Sequence, residues 1–242
     1  MRLVRLKRTG STMDVARRLA TEGTPEWTVV VAEEQTGGRG RLWRRWASPR
    51  GGLWLSIVLR PKFPPSKIPL VGLAASLALV KAIRKKLGVR TGLKWPNDVL
   101  LNGRKLAGIL SEAFQEDGKW VVILGIGVNT NVRLADLPEE VRCRAAALID
   151  VLGRPVDNWE LLRELIRELR KAYRLILEDP RILAQEWNAN SVITGLHVKV
   201  ATLRGEVEGV ALGVDEAGRL ILQVKDREIR ISQGEVTLLR PA

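Results

Sequence analysis

The chain has 242 residues, 45% hydrophobic and 28% charged, with one cysteine, one histidine and a formal net charge of +13. That composition supports a real core, in one large domain or one domain with a small companion; with Cys143 alone it excludes an intrachain disulfide, and His197, outside any cysteine or histidine cluster, argues against a structural zinc site. The excess positive charge points to polyanions, whether nucleic acid, nucleotides or an acidic protein, or else to no more than a solvated arginine-rich surface.

Met1 to Gly10 is basic without a following apolar block, so no signal peptide is expected. No apolar run approaches the ~20 residues of a bilayer span, and a lone cysteine fits the reducing cytoplasm. Ser11 to Glu22 reads as a short helix, with Ser11 as its cap and Asp14 completing a capping box. Trp27 to Glu33 is β-branched and reads as a strand. Gly37 to Gly52 is dense in glycine and arginine, has no apolar period and reads as a loop; Leu53 to Leu59 is the next strand. Leu70, Leu73, Leu77, Val80, Ile83 and Leu87 recur at helical spacing and predict an amphipathic helix. Short strands follow at Gly92–Trp95, Val99–Leu101 and Leu106–Ala113, with Asn102-Gly103 a type I′ turn signal, and Val121 to Asn129 is an apolar strand ending in glycines. Asp157 to Leu177 predicts a second long helix, capped by Asp157 with Glu160 and burying Leu162, Leu165, Ile166, Leu169, Tyr173 and Ile176. From Thr194 the texture changes to short strands at His197–Leu203, Val207–Val214, Arg219–Val224, Arg227–Ser232 and Val236–Leu239, which suggests a small barrel. The division into domains is expected at residues 1–190 and 191–242.

Three constellations carry chemistry. Gly37-Gly38-Arg39-Gly40-Arg41, followed by Arg44, Arg45 and Trp46, combines close backbone approach with forked cationic donors. It suits an anionic ligand that orders the loop while Trp46 covers or stacks on a base, and equally an RGG-like nucleic-acid loop. Lys94-Trp95-Pro96-Asn97-Asp98 and Arg104 to Ile109 flank the Asn-Gly turn. Proline should hold Trp95 extended, placing Asn97 and Asp98 at the entrance to a strand. Alternation puts Lys105 and Ala107 on one face and Leu106 and Gly108 on the other. A lysine entering a buried strand needs an anionic partner, either Asp98 or the phosphate and carboxylate of a ligand. Gly125-Ile126-Gly127-Val128-Asn129 ends a strand, where glycines serve close packing or Asn129 reads a nucleotide.

Taken in order, Ser11-Thr12-Met13, Gly38-Arg39-Gly40-Arg41, Lys94 to Asp98, Arg104 to Ile109 and Gly125 to Asn129 closely resemble the motifs of the biotin protein ligase family. The two lysine motifs at short mutual spacing are the specific part, and they favour the ligand reading of Lys105. Met13 stands where the family usually has asparagine, which bears on a polar contact to biotin, and Trp43 where many members have glycine or asparagine. The resemblance implies an α+β fold: a mixed sheet flanked by helices, related to class II aminoacyl-tRNA synthetases and lipoate ligases, with an SH3-like C-terminal barrel. Some members carry an N-terminal winged helix that binds DNA. Ten residues before Ser11 are too few for it, so neither repression nor specific DNA binding is expected. Members often dimerise through the sheet, and a homodimer is expected by that analogy.

The resemblance also implies the reaction. Biotin's carboxylate attacks the α-phosphate of ATP, giving biotinyl-5′-AMP and pyrophosphate, and a lysine of a biotin carboxyl carrier domain then takes the biotinyl group. Mg²⁺ neutralises the β- and γ-phosphates, with no metal ligand expected from the protein. The implied catalytic set is Lys105, Arg39 and Asp98. Ser11, Thr12, Met13, Gln35, Arg39, Gly40, Arg41, Lys105 and Gly108 are implied at biotin, and Arg41, Arg44, Trp46, Lys94, Asn97 and Asn129 at the nucleotide. Two rivals stand beside this: a lipoate or octanoate ligase on the same scaffold, and a non-catalytic nucleic-acid-binding protein using the basic loop and barrel.

Overall fold

A computed structural model describes residues 2–238, the Trp43 side chain excepted, so the predicted strand end at Leu239 and the expectation for the Trp43 side chain lie outside the described residues. In chain order the elements are β1 (Leu3–Thr9), α1 (Thr12–Thr21), β2 (Thr28–Gln35), β3 (Leu53–Leu59), α2 (Leu70–Leu87), β4 (Gly92–Lys94), β5 (Asp98–Leu101), β6 (Arg104–Glu116), β7 (Lys119–Val128), α3 (Glu139–Arg142), α4 (Leu148–Leu152), α5 (Asn158–Glu178), α6 (Pro180–Asn188), β8 (His197–Thr202), β9 (Gly205–Val214), β10 (Leu220–Val224), β11 (Arg227–Ile231) and β12 (Glu235–Leu238). They form two compact units, one of residues up to Ile68 with Leu100–Glu164, the other of Pro69–Val99 with the chain from Leu165 onward. These units interleave along the chain, whereas the expected division at residue 190 follows the change in sequence texture.

In the first unit the strands lie in the order β1-β2-β3-β7-β6-β5. β1 runs parallel to β2, and β2–β3, β3–β7 and β7–β6 are antiparallel, so the sheet is mixed as expected. β1 was not anticipated: Arg5, Lys7 and Arg8 disguise a strand that presents Val4 and Leu6 to the core. One face is covered by α1, whose Met13, Ala16 and Ala20 pack on Val30, Val58, Val121 and Ile123. Ser11 caps α1, its Oγ accepting the Met13 N–H at 3.3 Å. Asp14, predicted to complete a capping box, instead reaches Arg39. The β5–β6 hairpin turns through Asn102 and Gly103, both with positive φ (50° and 74°), as the predicted type I′ turn requires.

In the second unit α2 is buried almost all round, from Leu70 through Ile83, rather than on one stripe, so the amphipathic expectation gives way to a central core helix. With the turn before it, the stretch Pro65–Leu87 is by length and composition apolar enough to cross a bilayer, yet 72% of its most apolar window is buried. Trp187 Nε1 donates to Ser76 Oγ on α2 at 3.1 Å, and Trp95 Nε1 to the Gly218 carbonyl at 3.1 Å, so the largest buried rings each satisfy their polar atom. β4 pairs in parallel with the segment around Ser191, through Leu93 N–H to Asn190 O (2.8 Å) and Val192 N–H to Leu93 O (2.9 Å). α6 was missed, although Asp179 at the cap and proline behind it are helix-start signals. The last strands form a five-stranded antiparallel sheet, order β11-β10-β9-β8-β12, from the five segments expected.

Candidate active site

The site begins with missing side chains. Gly108 on β6 and Gly127 on β7 face each other in register, leaving a bare patch of sheet. The Trp46 ring lies on it. A Cβ on Gly127 would come 2.5 Å from Trp46 Nε1, and one on Gly108 3.1 Å from Trp46 Cζ3, so side chains at either position would meet the indole. Trp46 packs edge-on against Trp54, ring centroids 6.4 Å apart. Its Nε1 is buried without a hydrogen-bond partner, an unmet donor over the floor. Met13 closes the next step of the strand: its Sδ would meet a Cβ on Gly125 at 2.8 Å, and its thioether belongs to the core cluster beneath α1. The asparagine expected by resemblance is thus replaced by an apolar stopper.

Lys105 borders this floor. Its Nζ lies 5.4 Å from the Trp46 ring centroid, within cation–π reach, and its Cε would lie 3.5 Å from a Cβ on Gly108. Strict alternation assigned Lys105 and Gly108 to opposite faces; the structure brings the lysine stem to the Gly108 side. The reason is local. Regular β6–β7 pairing begins only at Ala107↔Val128, and Lys105 pairs instead with Ala145.

The arginine loop forms a small hairpin. Arg39 and Arg45 bridge across it, the Gly40 N–H donates to Arg44 O at 2.7 Å, and Leu42 at the tip has φ 53° and is 61% exposed. Arg39 is held by two carboxylates that sequence reasoning missed. Asp14 Oδ1 accepts from Nη1 at 2.6 Å and Glu112 Oε2 from Nη2 at 3.5 Å. Its Nε is buried with no partner. Both ion pairs are at least a third exposed, so their value is orientation more than stability. Glu112 lies in the half-buried stretch of β6, among other polar residues, so nothing local singled it out.

Behind the loop runs a polar relay. Gln35 Oε1 accepts from the Thr12 N–H (2.8 Å) and Oγ1 (3.0 Å); Gln35 Nε2 donates to Ser48 Oγ (2.8 Å), and Ser48 Oγ to the Trp46 carbonyl (3.2 Å). Thr12 Oγ1 also meets Ser56 Oγ at 2.8 Å. Of the predicted residues, Thr12 and Gln35 meet in this relay, with Ser48 and Ser56 as unforeseen members, while buried Ser11 turns its hydroxyl to the Met13 N–H. Ser56 was readable as the lone polar residue of β3. Arg41 and Arg44 lie on the hairpin, each engaged in interactions. Asn129 is buried at the end of β7, its Nδ2 donating to the Ala146 carbonyl at 3.0 Å. Lys94, Asn97 and Asp98 fall in the second unit, around a turn whose Trp95–Pro96 bond is cis. Among the described residues no group of three or more His, Cys, Asp or Glu side chains is arranged to hold a metal ion. The floor, the cation beside it and the buried arginine Nε make a place for an extended or flat ligand with an anionic end, and offer no nucleophile–base pair.

Residues 6–129 match the model of the biotin/lipoate A/B protein ligase family, and residues 194–239 the model described as biotin protein ligase C terminal domain. The chain is 37% identical over 239 residues to the biotin–[acetyl-CoA-carboxylase] ligase of Mycobacterium tuberculosis, covering 96% of this chain and 87% of that one. It is 36% identical over 231 residues to the bifunctional ligase/repressor BirA of Bacillus subtilis, covering 94% of this chain and 71% of that one. The biotin protein ligase from Aquifex aeolicus in complex with biotin and ATP superposes with a TM-score of 0.85 at 31% identity, over 99% of each chain.

Proposed function

The chain belongs to the biotin/lipoate A/B protein ligase family, and from that premise we propose that it is an ATP-dependent biotin protein ligase. It forms biotinyl-5′-AMP and transfers the biotinyl group to a lysine of a biotin carboxyl carrier domain. The observation that carries this reading is the glycine floor under Trp46 with Lys105 at its border. An acyl adenylate is long, partly flat and anionic in the middle, and it needs bare backbone beneath it and fixed cations beside the reacting oxygens.

Both half-reactions build negative charge on phosphate and acyl oxygens, and preorganised cations lower that barrier more than any group recruited from water. Lys105 serves the biotin carboxylate and α-phosphate. Arg39, steadied by Asp14 and Glu112, offers its buried Nε, and Arg41 closes over the phosphate side. Gly40 lets the loop backbone approach, and Gly108 keeps the floor clear. Ser11, Thr12 and Gln35 supply hydrogen bonds for the ureido ring; Thr12 and Gln35 exchange part of their mutual bonding when biotin arrives. Met13 adds an apolar wall. Trp46 leaves the floor to cover the nucleotide, with Arg44 beside it. Lys94, Asn97 and Asp98 are assigned by motif: the first two to the nucleotide, Asp98 to orienting the incoming lysine. Mg²⁺ would enter with ATP as part of the substrate and neutralise its phosphates. Residues 1–190 carry the reaction and 191–242 the SH3-like barrel, in a cytoplasmic protein that pairs through its sheet.

Isotope exchange between pyrophosphate and ATP tests the reading. Exchange should depend on biotin and should not start with lipoate or octanoate. Exchange with lipoate alone would move the chain to the sister activity, and tight, salt-steep nucleic-acid binding without any exchange would replace the enzyme by a binding protein.

A further inference from the structure

We propose that Asn129 is a positioning residue for Lys105, acting through the segment Arg144–Leu148; this rests on the ligase reading above. Lys105 sits where β6 has no partner from β7, since their ladder starts at Ala107. Both backbone groups of Lys105 are held from the other side. Its N–H donates to Arg144 O at 2.7 Å, and its carbonyl accepts the Ala146 N–H at 2.9 Å. The lysine can therefore be no better placed than residues 144–146. That stretch lies outside any helix or strand beyond this bridge, so something must fix it.

Asn129 holds it at two points and is itself tied to β6 at a third. Its Nδ2 donates to the Ala146 carbonyl at 3.0 Å, its own carbonyl accepts the Leu148 N–H at 2.9 Å, and its N–H donates to Leu106 O at 3.0 Å. Ala146 is thus clamped, its N–H on Lys105 and its carbonyl on the Asn129 amide. Asn129 is 3% exposed and Ala147 1%, so these bonds are shielded from water, where losing one is most costly. Only a short side chain with an N–H donor can reach back in this way. An asparagine at the end of the Gly-x-Gly strand meets that requirement.

The test is kinetic. Asn129→Ala and the isosteric Asn129→Asp, which has no donor for Ala146, should each lower the kcat of biotin-dependent pyrophosphate–ATP exchange by about ten- to a hundred-fold, as a displaced catalytic group does. The KM for ATP should stay within about twofold, which a residue reading adenine cannot give. In a double-mutant cycle, adding Asn129→Asp to Lys105→Ala should cost almost nothing further, because the group it positions is gone. The biotin Kd, measured by calorimetry, should show the same non-additivity, and this readout needs no turnover. If Asn129→Ala does not fold, the Asp variant carries the comparison. A raised KM for ATP with kcat kept, or additive losses in the cycle, overturns the proposal while leaving the ligase intact. A parent chain without biotin-dependent exchange overturns both.

Discussion

At the scale of single residues the site is defined as much by absent side chains as by charged ones. Lys105 is a cation at the border of the glycine floor, and removing a charge-stabilising group of this kind costs ~10²–10³ in rate. Lys105→Ala should therefore nearly abolish biotinylation, and near-parental rates in a carrier assay would remove it from the chemistry. Gly127→Ala tests the floor. Its methyl would come 2.5 Å from Trp46 Nε1, and overpacking of this sort costs ~1–3 kcal/mol, equivalent to about five- to a hundred-and-fifty-fold. The KM for biotin should rise by that order and the tryptophan emission should shift as the indole is displaced; unchanged values of both would show that the floor is not where ligand lies. The lysine and glycine types were legible in the sequence. Their meeting was not, because alternation alone put Lys105 and Gly108 on opposite faces, and only the switch of partner to Ala145 turns the lysine stem over.

Among elements, α1 and α5 were legible from their caps, α2 and the strands from their apolar runs. Asp157 caps α5, accepting the Glu160 and Trp159 N–H groups at 3.0 and 2.8 Å. The bond from Glu160, and then that from Trp159, hold its carboxyl below the usual carboxylate range. A lowered folded-state value stabilises the fold above the unfolded pKa, ~3.9, and that contribution is lost as pH falls through the folded value. Asp157→Ala should lower Tm at neutral pH, and the gap between variant and parent should close as pH drops below about 4. A gap that stays constant in melts across that range would mean the charge contributes nothing. β1 and α6 show the limit of local reading: lysine and arginine on an edge strand hide its period, and α6 is too short for periodicity to outvote the loop around it.

For the whole molecule the dominant quantity is the net charge of +13. Opposite charge on a partner raises association rate more than affinity, and salt screens it within ~10 Å at 0.1 M. With an acidic carrier domain at concentrations below saturation, biotin transfer should slow steeply as salt rises, while pyrophosphate exchange, which needs no carrier, should change less. Parallel salt responses of the two assays would detach the charge from carrier encounter. The sequence by itself determined the fold class, the strand and helix inventory except β1, α6 and the short α3 and α4, and the barrel strands, because periodicity, caps and turn chemistry are written locally. Only the tertiary structure decided which groups answer to which: Arg39 held by Asp14 and Glu112, Trp46 laid on Gly127, and Lys105 pinned to a stretch that Asn129 clamps. Those are contacts between residues from 17 to 81 positions apart, and no local period can encode a partner that the chain must fold to find.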